Sequence, residues 1–213
     1  CILLLGGSFD PVHTGHVALA NHFIQVLQPD ELRIIPAGNP WQKSGLQASA
    51  NDRIAMIERA FAAVAVPVAI DDQEIHRATP SYTVDTLRNL RTAIGSEASL
   101  VFLMGGDQLQ RLHTWRDWHK LFAYAHVAAA SRPGFPITAA SLTPEVAEEL
   151  ETRSASADQL RQTSHGHILI ANDLAVDVSS TALRNALQHQ QHAISQLPPA
   201  VLDYIEQHHR YRN

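Results

Sequence analysis

The chain has 213 residues, which suits one domain with an embellishment at about 150 residues per domain and is long enough to bury roughly 70% of the unfolded surface without disulfides or structural metal. Sixteen Lys and Arg against 21 Asp and Glu leave a net charge of −5. That balance argues against a general duplex-DNA or anionic-membrane binder and leaves room only for local basic sites. A hydrophobic fraction of 45% with 17% charged residues marks a globular, core-rich composition. The single cysteine, Cys1, excludes an internal disulfide and fits a reducing compartment. The opening apolar stretch is broken by Gly6, Gly7 and Asp10 far short of the roughly 18 residues of a membrane span. A soluble, cytoplasmic protein with neither nucleic-acid nor membrane partners is the expectation.

Residues 2–5 form a short apolar run stopped by two glycines, the pattern of a strand buried on both faces. Val17, Leu19, Ala20, Phe23, Ile24 and Leu27 then recur at helical spacing, so the first unit reads strand, glycine turn, helix. Residues 32–35 predict a second strand, stopped by Pro36. A helix over 51–63 carries Ile54, Ile57 and Phe61 on one face, and 67–70 predict a third strand. Residues 83–90 read as helix, with 100–104 and 127–130 as further strands. Thr143-Pro144-Glu145 opens a helix with Thr as cap and Pro at the first position. The polar, weakly periodic stretch 153–166 reads as a surface connection. A last strand at 168–170 and helices at 179–187 and 201–208 complete the chain. The alternation predicts an α/β fold: a doubly wound, Rossmann-like parallel sheet with helices on both faces and right-handed crossovers. It predicts one domain over 1–213 with a C-terminal helical portion from about 179. Ligands of such sheets bind beyond the carboxyl ends of the strands, which singles out residues 6–16, 36–43, 105–107 and 131–134.

The densest chemical signal lies there. Gly6-Gly7-Ser8-Phe9-Asp10-Pro11-Val12-His13-Thr14-Gly15-His16 places two glycines straight after a buried strand and ahead of a helix N-terminus, where backbone N–H groups and the helix dipole can receive phosphate. It matches neither the Walker loop nor the Gly-x-Gly-x-x-Gly fingerprint. His13 and His16 lack Cys, Asp or Glu partners at helical spacing for zinc; beside phosphates they can donate hydrogen bonds as charge develops. Ser179-Ser180-Thr181 with Arg184 one turn on makes a second phosphate-type helix start, or else an ordinary cap with a solvated arginine. Asp107 reads alternatively as a turn former, and Trp115 with Trp118 as core packing.

Taken together these runs resemble the nucleotidylyltransferase superfamily and, within it, the bacterial nicotinate-nucleotide adenylyltransferases, which join ATP and nicotinate mononucleotide into deamido-NAD and pyrophosphate. Intermediate motifs fall in order over nearly the whole chain: Pro80-Ser81-Tyr82-Thr83 with Thr86-Leu87, Gly105-Gly106-Asp107, Thr114-Trp115 and Arg132-Pro133-Gly134. The resemblance implies that Gly6, Gly7, Ser8, Phe9, His13 and His16 hold ATP phosphates and that Gly105 and Asp107 bind the adenylate ribose. It implies that Ser180, Thr181 and Arg184 hold the outer phosphates, and that Thr83, Trp115, Arg116 and Arg132 receive the nicotinate nucleotide, with Trp115 stacked on its ring. His13, His16, Lys43 and Arg184 are the implied catalytic groups, and Mg2+ is expected to accompany ATP. Where the family usually shows Pro-Pro-His-Lys or Pro-Pro-His-Arg, this chain has Pro40-Trp41-Gln42-Lys43, so the charge is kept and Gln42 stands at the histidine position. The rival readings are an adenylyltransferase for another acceptor, such as nicotinamide mononucleotide or phosphopantetheine, and a non-catalytic nucleotide-binding protein of the same fold.

Overall fold

Leu3 and Leu5 turn to one side of the first strand and Leu4 to the other, none more than 2% exposed. Strand β1 (Ile2–Gly7) is therefore buried on both faces, as its unbroken apolar run requires. The computed structural model describes residues 1–38, 46–131, 137–172, 174, 180–188 and 194–211. Within them, β2 (Glu31–Pro36), β3 (Val68–Ile70), β4 (Leu100–Gly105), β5 (His126–Ala130) and β6 (Ile168–Ala171) join β1 in one six-stranded sheet of order β3-β2-β1-β4-β5-β6. Every neighbouring pair is parallel, with Leu3 opposite Leu32 and Val101, and Val127 opposite Phe102 and Ile168. The doubly wound expectation holds, and strand order reverses between β1 and β4.

The pleat divides the core in two. Leu3, Leu5, Leu32, Ile34, Val101, Leu103, Ala128 and Ala130 face one layer of helices: α1 (Thr14–Leu27), α2 (Ala50–Phe61), α6 (Ala157–Gln162), α7 (Ser180–Gln188) and α8 (Pro199–Gln207). Leu4, Leu100, Phe102, Met104, Val127 and Ala129 face α3 (Thr83–Ile94), α4 (Gly106–Gln110), α5 (Pro144–Arg153) and the 3-10 turns around Trp118. Phe23, Leu27, Met56 and Ile57 are wholly buried, and each such side chain contributes about 1.5–3 kcal/mol through removal from water.

The stretch 153–166 departs from its reading as a surface connection. Ser154 bridges to Ile168, and α6 follows, opened by a reciprocal cap in which Ser156 Oγ accepts from the Gln159 N–H and Gln159 Oε1 accepts from the Ser156 N–H. Leu160 is completely buried on it. One buried residue in a six-residue helix leaves no periodicity to read, and the cap signal sits outside any apolar run.

Two polar hubs close the far side of the sheet. His126, fully buried in β5, donates from Nε2 to the Thr163 carbonyl at 2.9 Å and accepts at Nδ1 from the His167 N–H at 3.0 Å. Both ring nitrogens are thereby used by the neutral form, and burial pushes the ring down to about 4. Arg91 donates to the carbonyls of Gly95, Ser96, Ala98, Tyr124 and Ser164, tying the end of α3 to the segments before β5 and β6.

Candidate active site

At the carboxyl end of β1 the backbone passes close to its neighbours. A Cβ on Gly6 would lie 3.2 Å from the Phe102 ring, and one on Gly7 would lie 3.1 Å from the Phe9 ring. Phe9 itself adopts the left-handed region, φ 48, a conformation a bulky residue keeps only when its surroundings impose it. They do so here, because the ring is wholly buried and packs against His16 at 4.9 Å. From α2, Arg53, 2% exposed, donates to the Ser8 carbonyl at 2.9 Å and holds the turn from below.

His13 is the N-cap of α1, and its backbone N–H donates to His16 Nδ1 at 3.2 Å. The two rings stack with centroids 3.7 Å apart. Since Nδ1 of His16 accepts, the proton of its neutral ring sits on Nε2, the kind of donor a phosphate oxygen takes. The pair therefore stands at the positive end of a 14-residue helix, where anions are favoured.

Across the strand-order reversal, α4 begins directly after β4. A Cβ on Gly105 would come within 2.7 Å of Asp107 Oδ1, so the carboxylate folds back over the glycine, with the Gln108 amide donating to Oδ2 at 2.9 Å. Gly6, Gly7 and Gly105 thus lie at the carboxyl ends of the paired strands β1 and β4, with Asp107 in the first turn of α4, the edge of the sheet where this architecture binds ligands.

The segments named for the pyridine nucleotide also meet. Thr83 opens α3 and Tyr82 is its N-cap. The Arg116 guanidinium lies 4.6 Å above the Tyr82 ring. Trp115 stands edge-on to Phe102 at 6.2 Å, the same ring that Gly6 approaches, and its indole Nε1–H is buried with no hydrogen-bond partner among the described residues. Behind α3, Thr86 Oγ1 donates to Glu74 Oε1 at 2.7 Å, and burial pushes the Glu74 carboxyl up. Gly38 lets the end of β2 close on this wall, since a Cβ there would sit 1.8 Å from the Glu74 carbonyl oxygen. Trp118, by contrast, is 7% exposed and belongs to the core.

From α7, Arg184 Nη1 reaches the β1 loop and donates to the Asp10 carbonyl at 2.5 Å. Ser180 and Thr181 open that helix, and their side chains lie outside what the structure describes. Ser179, Lys43 with Gln42, and Arg132 lie outside the described residues altogether. Sequence reasoning missed Arg53 as a support of this loop, and it named the motif that holds Tyr82 without the contact of that ring with Arg116. Arg53 stands three and four residues before the buried Met56 and Ile57, on the helix face that turns inward, the one local sign of a buried arginine. Among the described residues no group of three or more His, Cys, Asp or Glu side chains is placed to hold a metal ion, and no helix is long and apolar enough to cross a membrane.

Comparison with known proteins agrees with this architecture. The sequence model of the cytidylyltransferase-like family matches residues 4–186. A protein of Herminiimonas arsenicoxydans named "Probable nicotinate-nucleotide adenylyltransferase" is 58% identical over 213 residues, 100% of this chain and 97% of that one. One of the same name from Chromobacterium violaceum is 45% identical over 98% of this chain and 97% of its own. Among solved structures, Plasmodium falciparum nicotinic acid mononucleotide adenylyltransferase complexed with NaAD superposes with a TM-score of 0.76 at 17% identity, covering 99% of this chain and 96% of that one; at that identity the likeness concerns the fold. The chain belongs to the cytidylyltransferase-like family and, within it, to the nicotinate-nucleotide adenylyltransferases.

Proposed function

We propose that the protein transfers the adenylyl group of ATP to nicotinate mononucleotide, giving deamido-NAD and pyrophosphate. The observation that carries this reading is the meeting of two motifs at the Phe102 ring beside the strand-order reversal: the glycine turn, followed by the paired imidazoles, approaches it through Gly6, and Trp115, next to the Arg116 that lies over Tyr82, stands edge-on to it. It is joined to full-length identity of 58% with a relative bearing that name. A phosphate oxygen of the mononucleotide attacks the α-phosphorus of ATP in line, the new P–O bond forms as the bond to the β-phosphate oxygen breaks, and pyrophosphate leaves. No protein nucleophile is needed, so the chain's work is positioning and charge stabilisation.

In this reading the Gly6 to Phe9 backbone, His13 and His16 hold the reacting phosphates, and Gly105 and Asp107 the adenylate ribose. Ser180, Thr181, Arg184 and Lys43 take the outer phosphates, and Arg132 joins Thr83, Trp115 and Arg116 at the acceptor. Magnesium enters as part of the substrate, on ATP phosphate oxygens and water. The net charge of −5 favours free nucleotides over a nucleic-acid backbone, and the whole chain works as one unit, its C-terminal helices included.

The acceptor is the acid. A carboxylate offers only acceptors, whereas an amide sets an NH₂ against whichever donor faces it. Such mispairing in a desolvated pocket costs several kcal/mol. The test is pyrophosphate release from ATP with nicotinate mononucleotide and, separately, nicotinamide mononucleotide. A catalytic efficiency about 10³ higher for the acid is expected. Equal efficiencies would move the assignment to a dual-specificity enzyme, and no release with either would end it.

A further inference from the structure

Asp10 has no part in the reaction above, yet its fully buried carboxylate is where widely separated segments meet. Oδ1 accepts from the Tyr211 hydroxyl at 2.6 Å and the Ala48 N–H at 3.0 Å, and Oδ2 accepts from the Gln47 N–H at 2.8 Å. Arg184 Nη1, besides its bond to the Asp10 carbonyl, stands 4.0 Å from Oδ2. A buried carboxylate is tolerated only when its lone pairs and its charge are answered, and here hydroxyl, amides and guanidinium share that task.

Tyr211 follows α8 and is 7% exposed. Burial and the adjacent carboxylate push its phenol well up, so it stays an O–H donor throughout the working range. Merely fastening the C-terminal segment does not require this contact. Tyr204, on α8 itself, already donates to Asp52 Oδ1 at 2.9 Å, and Arg210 pairs with the same oxygen at 3.1 Å. The Asp52 pair binds α8 to α2. The Asp10 pair instead ends on the loop that carries His13 and on the residue whose carbonyl accepts from the Arg184 guanidinium.

We propose that Tyr211 is a positioning residue for ATP: by holding the Asp10 carboxylate it keeps the Arg184 guanidinium and the β1 loop in the arrangement that receives the outer phosphates. The proposal rests on the adenylyltransferase reading. Without the hydroxyl, Asp10 Oδ1 loses a donor, and the nearest cation among the described residues able to replace it is Arg184. The carboxylate then draws that guanidinium off the phosphates, and ATP suffers while the acceptor nucleotide does not.

The experiment compares Tyr211→Phe with Tyr204→Phe, which deletes a comparable buried hydroxyl that has no route to Arg184, and repeats Tyr211→Phe on an Arg184→Ala background. Steady-state kinetics with both substrates are read beside thermal melting. Tyr211→Phe should raise the KM for ATP about tenfold, the effect of one charge-assisted hydrogen bond, and leave the KM for nicotinate mononucleotide within about twofold. Tyr204→Phe should lower the melting temperature without moving the KM for ATP. On the Arg184→Ala background the Tyr211 effect should shrink below about twofold, since residues acting through one another are not additive. A Tyr211→Phe variant that only melts earlier, one that weakens both substrates alike, or a full effect without Arg184 would overturn the proposal. If Tyr211→Phe is unfolded at the assay temperature, Asp10→Asn decides the matter: its ATP dissociation constant should rise, and an unchanged one refutes the idea. A wild type that binds ATP but releases no pyrophosphate counts against the proposed reaction alone, and the Tyr211 variant is then judged on its ATP dissociation constant, which should rise by the same factor.

Discussion

Acidification probes the core through a single ring. His126 is neutral in the fold because both its nitrogens are engaged and no water reaches it, and its pKa falls from 6.5 to about 4. Desolvation leads, the Thr163 carbonyl opposes it, and the charges of His167, His165 and Arg91 add to it. Well above pH 6.5 neither folded nor unfolded chain carries a proton on this ring, so it contributes nothing to the pH slope there. As pH falls below 6.5 the unfolded chain takes up a proton that the folded chain refuses, and stability drops until the folded ring titrates near 4. The full span corresponds to about 3 kcal/mol, of which about 2 kcal/mol falls between pH 7 and pH 5. Urea unfolding at pH 7, 6 and 5 should show that loss in the wild type. In His126→Gln, whose amide can still donate to Thr163, the slope should be shallower by about 2 kcal/mol over the same interval, whatever its absolute stability. The C2 proton of the ring should show no NMR titration step near pH 6.5. Parallel pH slopes for the two proteins, or a titration near 6.5, would refute the argument.

Further outcomes follow from contacts already described. His16→Ala should cut kcat by about 10², the usual loss for a preorganised donor at developing charge, and should also cost about 1 kcal/mol because His13 loses its capping acceptor; pyrophosphate release and thermal melting check the two together. Gly38→Ala forces a methyl group into the Glu74 carbonyl and should destabilise by about 2–3 kcal/mol, seen as an earlier urea midpoint, whereas an unchanged midpoint would mean that the two loops do not touch. Arg91→Lys keeps the charge but cannot span five carbonyls, so a loss of about 2 kcal/mol is expected with kcat unaltered.

The strands were legible because parallel strands buried on both faces read as unbroken apolar runs, and residues 2–5 and 100–104 are such runs. The glycine turn and the two histidines were legible because β1 announces where the sheet's carboxyl edge must lie. What stayed hidden is of two kinds. Helix α6 is too short for periodicity, and its one fully buried residue is Leu160. The contacts of Asp10, Arg53 and Arg91 join segments whose proximity no local pattern encodes. The Arg116 to Tyr82 contact escaped for the same reason: each residue stood in a motif, but their meeting depends on how α3 packs beside the 3-10 turn at residues 118–123.

The distances along the chain at Asp10 have a consequence for synthesis. Its partners Arg184 and Tyr211 lie 174 and 201 residues downstream, so the loop emerges from the ribosome long before the groups that answer its charge. At roughly 5–20 residues per second the wait is on the order of 10–40 s, during which β1 to β5 can pair while the Asp10 carboxylate must stay hydrated. Closing so long a loop adds little entropy cost, about 0.6 kcal/mol per doubling, so the delay is one of supply rather than of equilibrium. A nascent chain with most of its sheet in place is then structured yet grips ATP weakly, and arrested chains of increasing length should reach full ATP protection from proteolysis only once residue 211 has cleared the exit tunnel.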